Sequence, residues 1–385
     1  MRILILTTKP PWPEHDGGAV ASSRIIEGLS LNGAEIYLLA LSTPKHNGHN
    51  HSAAAGKSLV RSYAEVHTDT TVRFLLMMRN LAFSGRPYDL ERYFTSDLLR
   101  QIKTICDTEP VDIIQCEGLA FSMYVSQLRK ITGAKIVLRA HNIEYRIKYM
   151  MSKREKDPLK RWYLKILSDR IQRLESDSRK LFDAIVPISW PDAEWFRLLD
   201  GRAPVFLAST GISAPANLQS QKKGRYNVGF IGSLDWHPNV DGILWFVNEV
   251  WPLVISRLPE ASLHIAGRNA DAGTAEKLTG QNITFHGEID DSLLYTSSMN
   301  LMIAPLFSGS GMRIKIIESM SAGVPVVASP VAATGLPVKD GKDILIAGSR
   351  EKFSSSILTL LTDDTLTEEI AANAAGTVRE NFDNN

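Results

Sequence analysis

Cysteine is nearly missing from this chain: Cys106 and Cys116 are its only two among 385 residues. That excludes a disulfide scaffold and a thiolate zinc site, and it suits a reducing compartment. An excess of one charge is missing too. Lysine and arginine number 43 against 42 acids, a net charge of +1, so the footprint of a general nucleic-acid binder is absent. No apolar run approaches the length that spans a bilayer. The opening Met1-Arg2-Ile3-Leu4-Ile5-Leu6-Thr7 lacks the length and cleavage site of a secretory signal, and it reads as a buried strand. A cytoplasmic setting is expected, where the glycosylation match Asn282-Ile283-Thr284 means little. Nowhere does Gly-x-Gly-x-x-Gly follow a strand, which disfavours a nicotinamide-dependent oxidoreductase.

What is present alternates between strand and helix patterns. Strands are expected over 2–7, 35–41, 111–116, 134–139 and 184–188, with helices over 19–31, 155–180 and 192–199. Residues 44–58 read as an exposed loop. Near 201–225 the apolar periodicity gives way to Ala, Ser, Pro, Gln, Lys and Gly. A second series follows, with strands over 227–231, 262–266, 283–285, 301–305, 324–328 and 344–346 and helices over 240–258 and 313–321. The expected fold class is α/β: two Rossmann-like, doubly wound domains facing a central cleft. The first spans 1–205, a linker 206–224, and the second 225–385.

The densest chemistry lies in Ser308-Gly309-Ser310-Gly311-Met312-Arg313-Ile314-Lys315-Ile316-Ile317-Glu318, between two apolar strands. Small residues let backbone N–H groups approach a ligand, and a helix N-terminus favours an anion. Arg313 and Lys315 add cations, and Glu318 follows about one turn later. A phosphate flanked by a hydroxyl-bearing ring, as in a nucleoside diphosphate, satisfies this set; a plain turn followed by a solvated helix pair is the simpler alternative. Gly17 and Gly18 after the first strand admit a close ligand. His141, at a strand end in His141-Asn142-Ile143-Glu144, can donate to a reacting oxygen, while Asn142 can cap the next helix. Glu117, one unit earlier, can accept from an incoming hydroxyl or cap a helix. Gly232 and Ser233 end the first strand of the second domain, ahead of Trp236, read as a packing anchor. Gly267-Arg268 and His286-Gly287-Glu288 end its next two strands and could make a slot for a flat base.

Two further stretches stand apart. Between Arg146 and Lys180 basic residues outnumber acids, interleaved with Met150, Met151, Trp162, Tyr163 and Leu164. This reads as a solvated helix face or as a surface for an anionic membrane. Residues 74–83 are apolar and methionine-containing, able to hold a lipid tail or simply to pack.

Taken in order, these motifs resemble those of the family 4 glycosyltransferases, retaining enzymes of the GT-B fold, over nearly the whole chain. The pieces are Gly17-Gly18, His141-Asn142-Ile143-Glu144-Tyr145, the run Phe230 to Asn239, Ala266-Gly267-Arg268 and the run Gly309 to Glu318. The resemblance implies a nucleotide-sugar donor, UDP- or GDP-linked, and transfer to an acceptor hydroxyl without metal or other cofactor. Arg313 and Lys315 would neutralise the diphosphate and act with His141 in catalysis. Gly17, Gly18, Gly232, Ser233, Gly267, Arg268, Gly309, Ser310, Gly311 and Met312 would line the donor, and Glu318 would bind the ribose hydroxyls. The acceptor would be a glycan or a lipid-linked sugar of cell-surface polysaccharide or glycolipid assembly, met by a cytoplasmic enzyme with peripheral contact to an anionic inner membrane face. Ser310 stands where the family carries the first acid of its Glu-x7-Glu motif, and Ser233 where many members carry a phosphate-binding cation. The chain ends at Asn384-Asn385, where members usually continue into a helix crossing back to the first domain. A nucleotide-sugar epimerase of the same fold, and a non-catalytic glycan- or nucleotide-binding subunit, are the alternative readings.

Overall fold

The computed structural model describes residues 1–14, 16–44, 56, 58–212, 224–308 and 311–383. Most of the expected loop over 44–58, residues 213–223 of the expected linker, Gly309, Ser310 and the last two residues lie outside them. Two compact units emerge, Met1–Gly211 and Ile212–Gly309 with Arg313–Asp383.

The first unit is built on six strands: β1 (Arg2–Thr7), β2 (Glu35–Ser42), β3 (Ser62–His67), β4 (Ile113–Glu117), β5 (Lys135–Ala140) and β6 (Ala184–Pro187). They pair in the order β3-β2-β1-β4-β5-β6, all parallel. Helices cover both faces of such a sheet, so its central strands are apolar throughout. Ile3 to Leu6 and Ile36 to Leu41 are accordingly buried without interruption. The main helices are α1 (Gly17–Leu31), α2 (Phe74–Phe83), α3 (Ser96–Thr108), α4 (Val125–Ile131), α5 (Glu144–Arg154), α6 (Pro158–Ser176) and α7 (Trp190–Leu198).

Three local readings differ from expectation. Strand β3, Ser-Tyr-Ala-Glu-Val-His, was not expected; as an edge strand it is mostly polar and buries only Val66 fully. The helix expected over 155–180 starts at Pro158 and ends at Ser176, with a separate short helix at Ser178–Leu181. Glu155 ends α5 in an extended conformation, Asp157 accepts from the Leu159 and Lys160 amides at 2.9 Å each, and Pro158 opens α6. Proline fits a first turn but not a helix interior, because it lacks the N–H. Helix α1 starts at Gly17 rather than Ala19, because Asp16 caps it.

The second unit holds β7 (Asn227–Ile231), β8 (Ser262–Ala266), β9 (Ile283–Gly287), β10 (Leu301–Ala304), β11 (Val326–Ala328) and β12 (Leu345–Ile346). They pair in the order β12-β11-β10-β7-β8-β9, again all parallel. Phe230, Phe246, Trp251, Leu263, Ile303, Val327 and Phe353 lie in its core. Its main helices are α8 (His237–Trp245), α9 (Ile314–Ser321), α10 (Arg350–Thr362) and α11 (Asp364–Phe382). The helix expected over 240–258 begins earlier, with Pro238 in its first turn, and passes through a π-turn at Phe246–Val250 just before Pro252. The architecture is thus the expected pair of doubly wound α/β units. Among the described residues, no helix is long and apolar enough to cross a membrane.

Candidate active site

The second sheet reverses its strand order at β7 and β10, the point where open α/β sheets take ligands beyond their carboxyl ends. Lys315 sits there. From the first turn of α9 its ammonium donates to the Ile231 carbonyl at 3.2 Å and to Asn239 Oδ1 at 2.9 Å, 4.6 Å from the centre of the Phe230 ring. Burial and, after it, the charge of Arg313 lower the Lys315 pKa to about 7. A cation desolvated in this way gains more from an incoming anion than one in water. Arg313 occupies the N-cap position of α9, and Glu318 lies one turn beyond Lys315; both are half-buried. Gly311 has φ +79°, a left-handed conformation that glycine adopts without strain, and Met312 beside it is half-buried. Gly309 and Ser310, both expected donor contacts, lie outside the described residues.

The adjoining strand ends are held by close backbone packing. A Cβ on Gly267 would lie 2.2 Å from the Gly232 carbonyl oxygen, and one on Gly232 would lie 2.8 Å from the Asn239 amide nitrogen. Both glycines therefore have a packing reason independent of any ligand. Asn239 Nδ2 donates to the Ser233 carbonyl at 2.9 Å, so this one amide ties the end of β7 to Lys315. The Ser233 hydroxyl donates to Asp235 at 2.7 Å and accepts from Arg268 Nε at 3.3 Å. At the expected base slot, His264 Nδ1 and His286 Nε2 lie 3.0 Å apart with stacked rings, and burial lowers both pKa values. Trp236 is 39% exposed, against its reading as a packing anchor.

In the first unit the order reverses at β1 and β4. Glu117, at the end of β4, is buried with both oxygens engaged. One accepts from Gln115 at 2.6 Å. The other accepts from Ser22 at 3.1 Å and Arg139 at 3.2 Å and lies 2.6 Å from His141 Nε2. Burial pushes this carboxyl up, but the Arg139 charge and the His141 hydrogen bond outweigh it and hold the pKa at about 2. Glu117 caps no helix; it is an anionic seat for a half-buried His141, whose ring it orients. Asn142 does not cap α5 either. The Glu144 and Tyr145 amides donate to Glu175 at 2.7 and 3.1 Å instead. At Gly17-Gly18, the Gly18 and Ala19 amides donate to Asp16 at 2.9 Å each, and Lys9 grips the same carboxylate at 2.6 Å. A Cβ on Gly18 would lie 3.1 Å from the Lys9 ammonium. Asp16 thus takes two of the amides that an anion at this turn would use.

Sequence reasoning brought out Lys315, Arg313, Glu318 and His141. It missed the roles of Asn239, in the first turn of α8, of Arg139, within β5, and of Lys9, two residues past β1, because each acts on a partner set by the fold. Among the described residues, no group of three or more His, Cys, Asp or Glu side chains could hold a metal ion.

Residues 225–363, which include Lys315 and its partners, match the family model described as glycosyl transferases group 1. An uncharacterized 44.6 kDa protein in the cps region of Klebsiella pneumoniae is 23% identical over 402 residues, 99% of this chain and 96% of that protein. A phosphatidyl-myo-inositol mannosyltransferase of Mycobacterium leprae is 30% identical over 137 residues, 34% of this chain and 37% of that protein. HepE of Anabaena, solved in complex with UDP and glucose, aligns with a TM-score of 0.66 at 14% identity, over 100% of this chain and 96% of that one. Sucrose-phosphate synthase from Thermosynechococcus elongatus aligns with a TM-score of 0.70 at 16% identity, over 100% and 95%. At such identities the two solved structures speak for the fold. The chain has the GT-B fold, and through its second unit it resembles the glycosyl transferases of group 1.

Proposed function

We propose that this protein is a retaining glycosyltransferase of family 4, moving a sugar from a nucleoside diphosphate donor to an acceptor hydroxyl. The observation that carries the reading is Lys315: a desolvated cation at the topological switch point of a sheet whose sequence matches group 1 glycosyl transferases. Charge builds on the departing diphosphate as the glycosidic bond breaks. Lys315, Arg313 and the N-terminus of α9 meet that charge, and such preorganised stabilisation supplies about 3–4 kcal/mol per donor. Glu318 takes the ribose hydroxyls, while Gly232, Ser233, Gly267 and Arg268 line the donor. In the first unit His141, oriented by Glu117, serves the transfer step. Gly17-Gly18 is a weaker candidate, since Asp16 engages two of its neighbouring amides. No metal or organic cofactor enters this scheme.

The donor is a UDP- or GDP-sugar, and the relative solved with UDP and glucose supports the first. The acceptor is a glycan or lipid-linked sugar of cell-surface polysaccharide or glycolipid assembly. The relative in the cps region and the phosphatidyl-myo-inositol mannosyltransferase support that class. The enzyme works in the cytoplasm with peripheral contact to the membrane.

The test has two steps. A thermal-shift screen of nucleotide sugars finds the donor, since a bound donor raises apparent stability by mass action. NMR of the product formed with glycan or lipid extracts then reads the anomeric configuration. Transfer with the donor's anomeric configuration kept supports the reading; an inverted product refutes retention. An epimerised nucleotide sugar formed from donor alone shows an epimerase. Donor binding without turnover over a broad acceptor panel shows a non-catalytic subunit.

A further inference from the structure

Helix α2 is inverted relative to the helices of a water-soluble unit. Its sequence is Phe-Leu-Leu-Met-Met-Arg-Asn-Leu-Ala-Phe, and its one buried residue is the amide Asn80. The apolar side chains face out: Phe74 is 68% exposed, Leu75 81% and Phe83 88%, with Leu76 and Met78 also exposed. An amphipathic helix on a core shows the opposite arrangement, and a contiguous exposed apolar patch marks an interaction surface.

The helix is nonetheless firmly attached. Asn80 Nδ2 donates to Glu91 at 2.6 Å and to the Arg86 carbonyl at 3.2 Å. Arg170 of α6 donates to Asn80 Oδ1 at 2.8 Å and to the Leu81 carbonyl at 2.9 Å. Polar bonds fix the inner side, so the outward apolar side is a stable presentation rather than a frayed segment.

The charge around it decides the partner. Between Val72 and Arg86 lie Arg73, Arg79 and Arg86, all exposed, and no acid. Arg170 ties α2 to α6, and the loop end of the α5–α6 hairpin exposes Lys153, Arg154, Lys156, Lys160 and Arg161 against the acids Glu155 and Asp157, with exposed Met151, Leu159 and Trp162 among them. Exposed large apolar side chains interleaved with cations match a bilayer interface: hydrocarbon takes the first, lipid phosphates the second. A self-associating face offers no such complement, since these cations would meet one another.

We propose that α2 is a membrane-docking helix, lying in the interface of an anionic bilayer with Phe74, Leu75, Met78 and Phe83 inserted and Arg79 and Arg86 against lipid phosphates. Binding stands without the transferase reading; only its purpose, delivery to a lipid-linked acceptor, rests on that reading.

The test is flotation of the full chain with phosphatidylglycerol-containing and pure phosphatidylcholine vesicles, for wild type and for a variant carrying Phe74→Ser, Leu75→Ser and Phe83→Ser. These residues are exposed, so the variant should keep the wild-type melting temperature, which controls for misfolding. A second variant, Arg79→Glu with Arg86→Glu, tests the charge. Wild type should float with the anionic vesicles and dissociate at high salt, and each variant should bind about tenfold more weakly or worse. Wild-type flotation by either variant overturns the proposal. So does a wild-type dimer that the serine variant converts to monomers while neither floats. Nucleotide binding, measured separately, reports on the transferase reading alone.

Discussion

Lys315 is where the donor reading meets a measurable charge. Its lowered pKa means that a fraction of the lysine is neutral near pH 7 in the empty protein. A bound diphosphate favours the ammonium and pulls its pKa back up. Titration calorimetry of the donor nucleotide at pH 8, in buffers of different ionisation enthalpy, should therefore show net proton uptake. Lys315→Ala should abolish that uptake. Either Lys315→Ala or Arg313→Ala should lower transfer by about 10²–10³-fold; near-normal rates in both would remove their role. Glu117 behaves differently. Removing it leaves Arg139 buried beside no carboxylate, so Glu117→Ala should destabilise the protein by about 3–5 kcal/mol in urea unfolding. His141→Ala removes only a half-buried partner. It should cost about 1 kcal/mol of stability yet reduce transfer about hundredfold, separating an oriented histidine from the charge pair that holds it. At this scale the sequence showed which residues carry charge at strand ends. It could not show which were paired: Asn239 stands 76 positions before Lys315, and Ser22 stands 95 before Glu117. Such pairs follow from tertiary packing, not from spacing.

At the scale of elements, chain punctuation was legible wherever a residue acts on its own neighbours. Asp157-Pro158 starts α6 within three residues of the expected start at 155, because the aspartate caps the helix and the proline fits its first turn. Strand β3 was hidden, since an edge strand has no need of an apolar pattern. The apolar run of α2 was plain in the sequence, but its direction was not; that depends on Asn80 and Arg170 meeting across the fold. The N-terminus of α5 gives a test of this kind of long-range cap. Burial, then the nearby charge of Glu144, raises the Glu175 pKa to about 8, against the pull of the two amides it accepts from. A carboxyl with a raised folded pKa contributes stability in full below about pH 4.5 and loses it as pH rises through about 8. The stability difference between wild type and Glu175→Gln should shrink over that window in urea unfolding, because glutamine does not titrate. A difference independent of pH would contradict this account of the cap.

Over the whole molecule, two parallel six-stranded sheets arise from two strand-helix series, and that much was visible in the alternation of apolar runs. The order of strands within each sheet was not, because it is set by how helices pack on both faces. That order matters most for function, since it places Lys315 at a reversal point of one sheet and Glu117, seating His141, at the corresponding point of the other. The central claim is that the second unit holds a nucleoside diphosphate through Lys315, and a thermal-shift comparison of wild type and Lys315→Ala with UDP and GDP tests it most directly. The account predicts that one of the two nucleotides raises the wild-type melting temperature, saturably, and that Lys315→Ala needs at least about tenfold more of it for the same shift. Equal shifts in both proteins, or no shift of the wild type with either nucleotide, would contradict it.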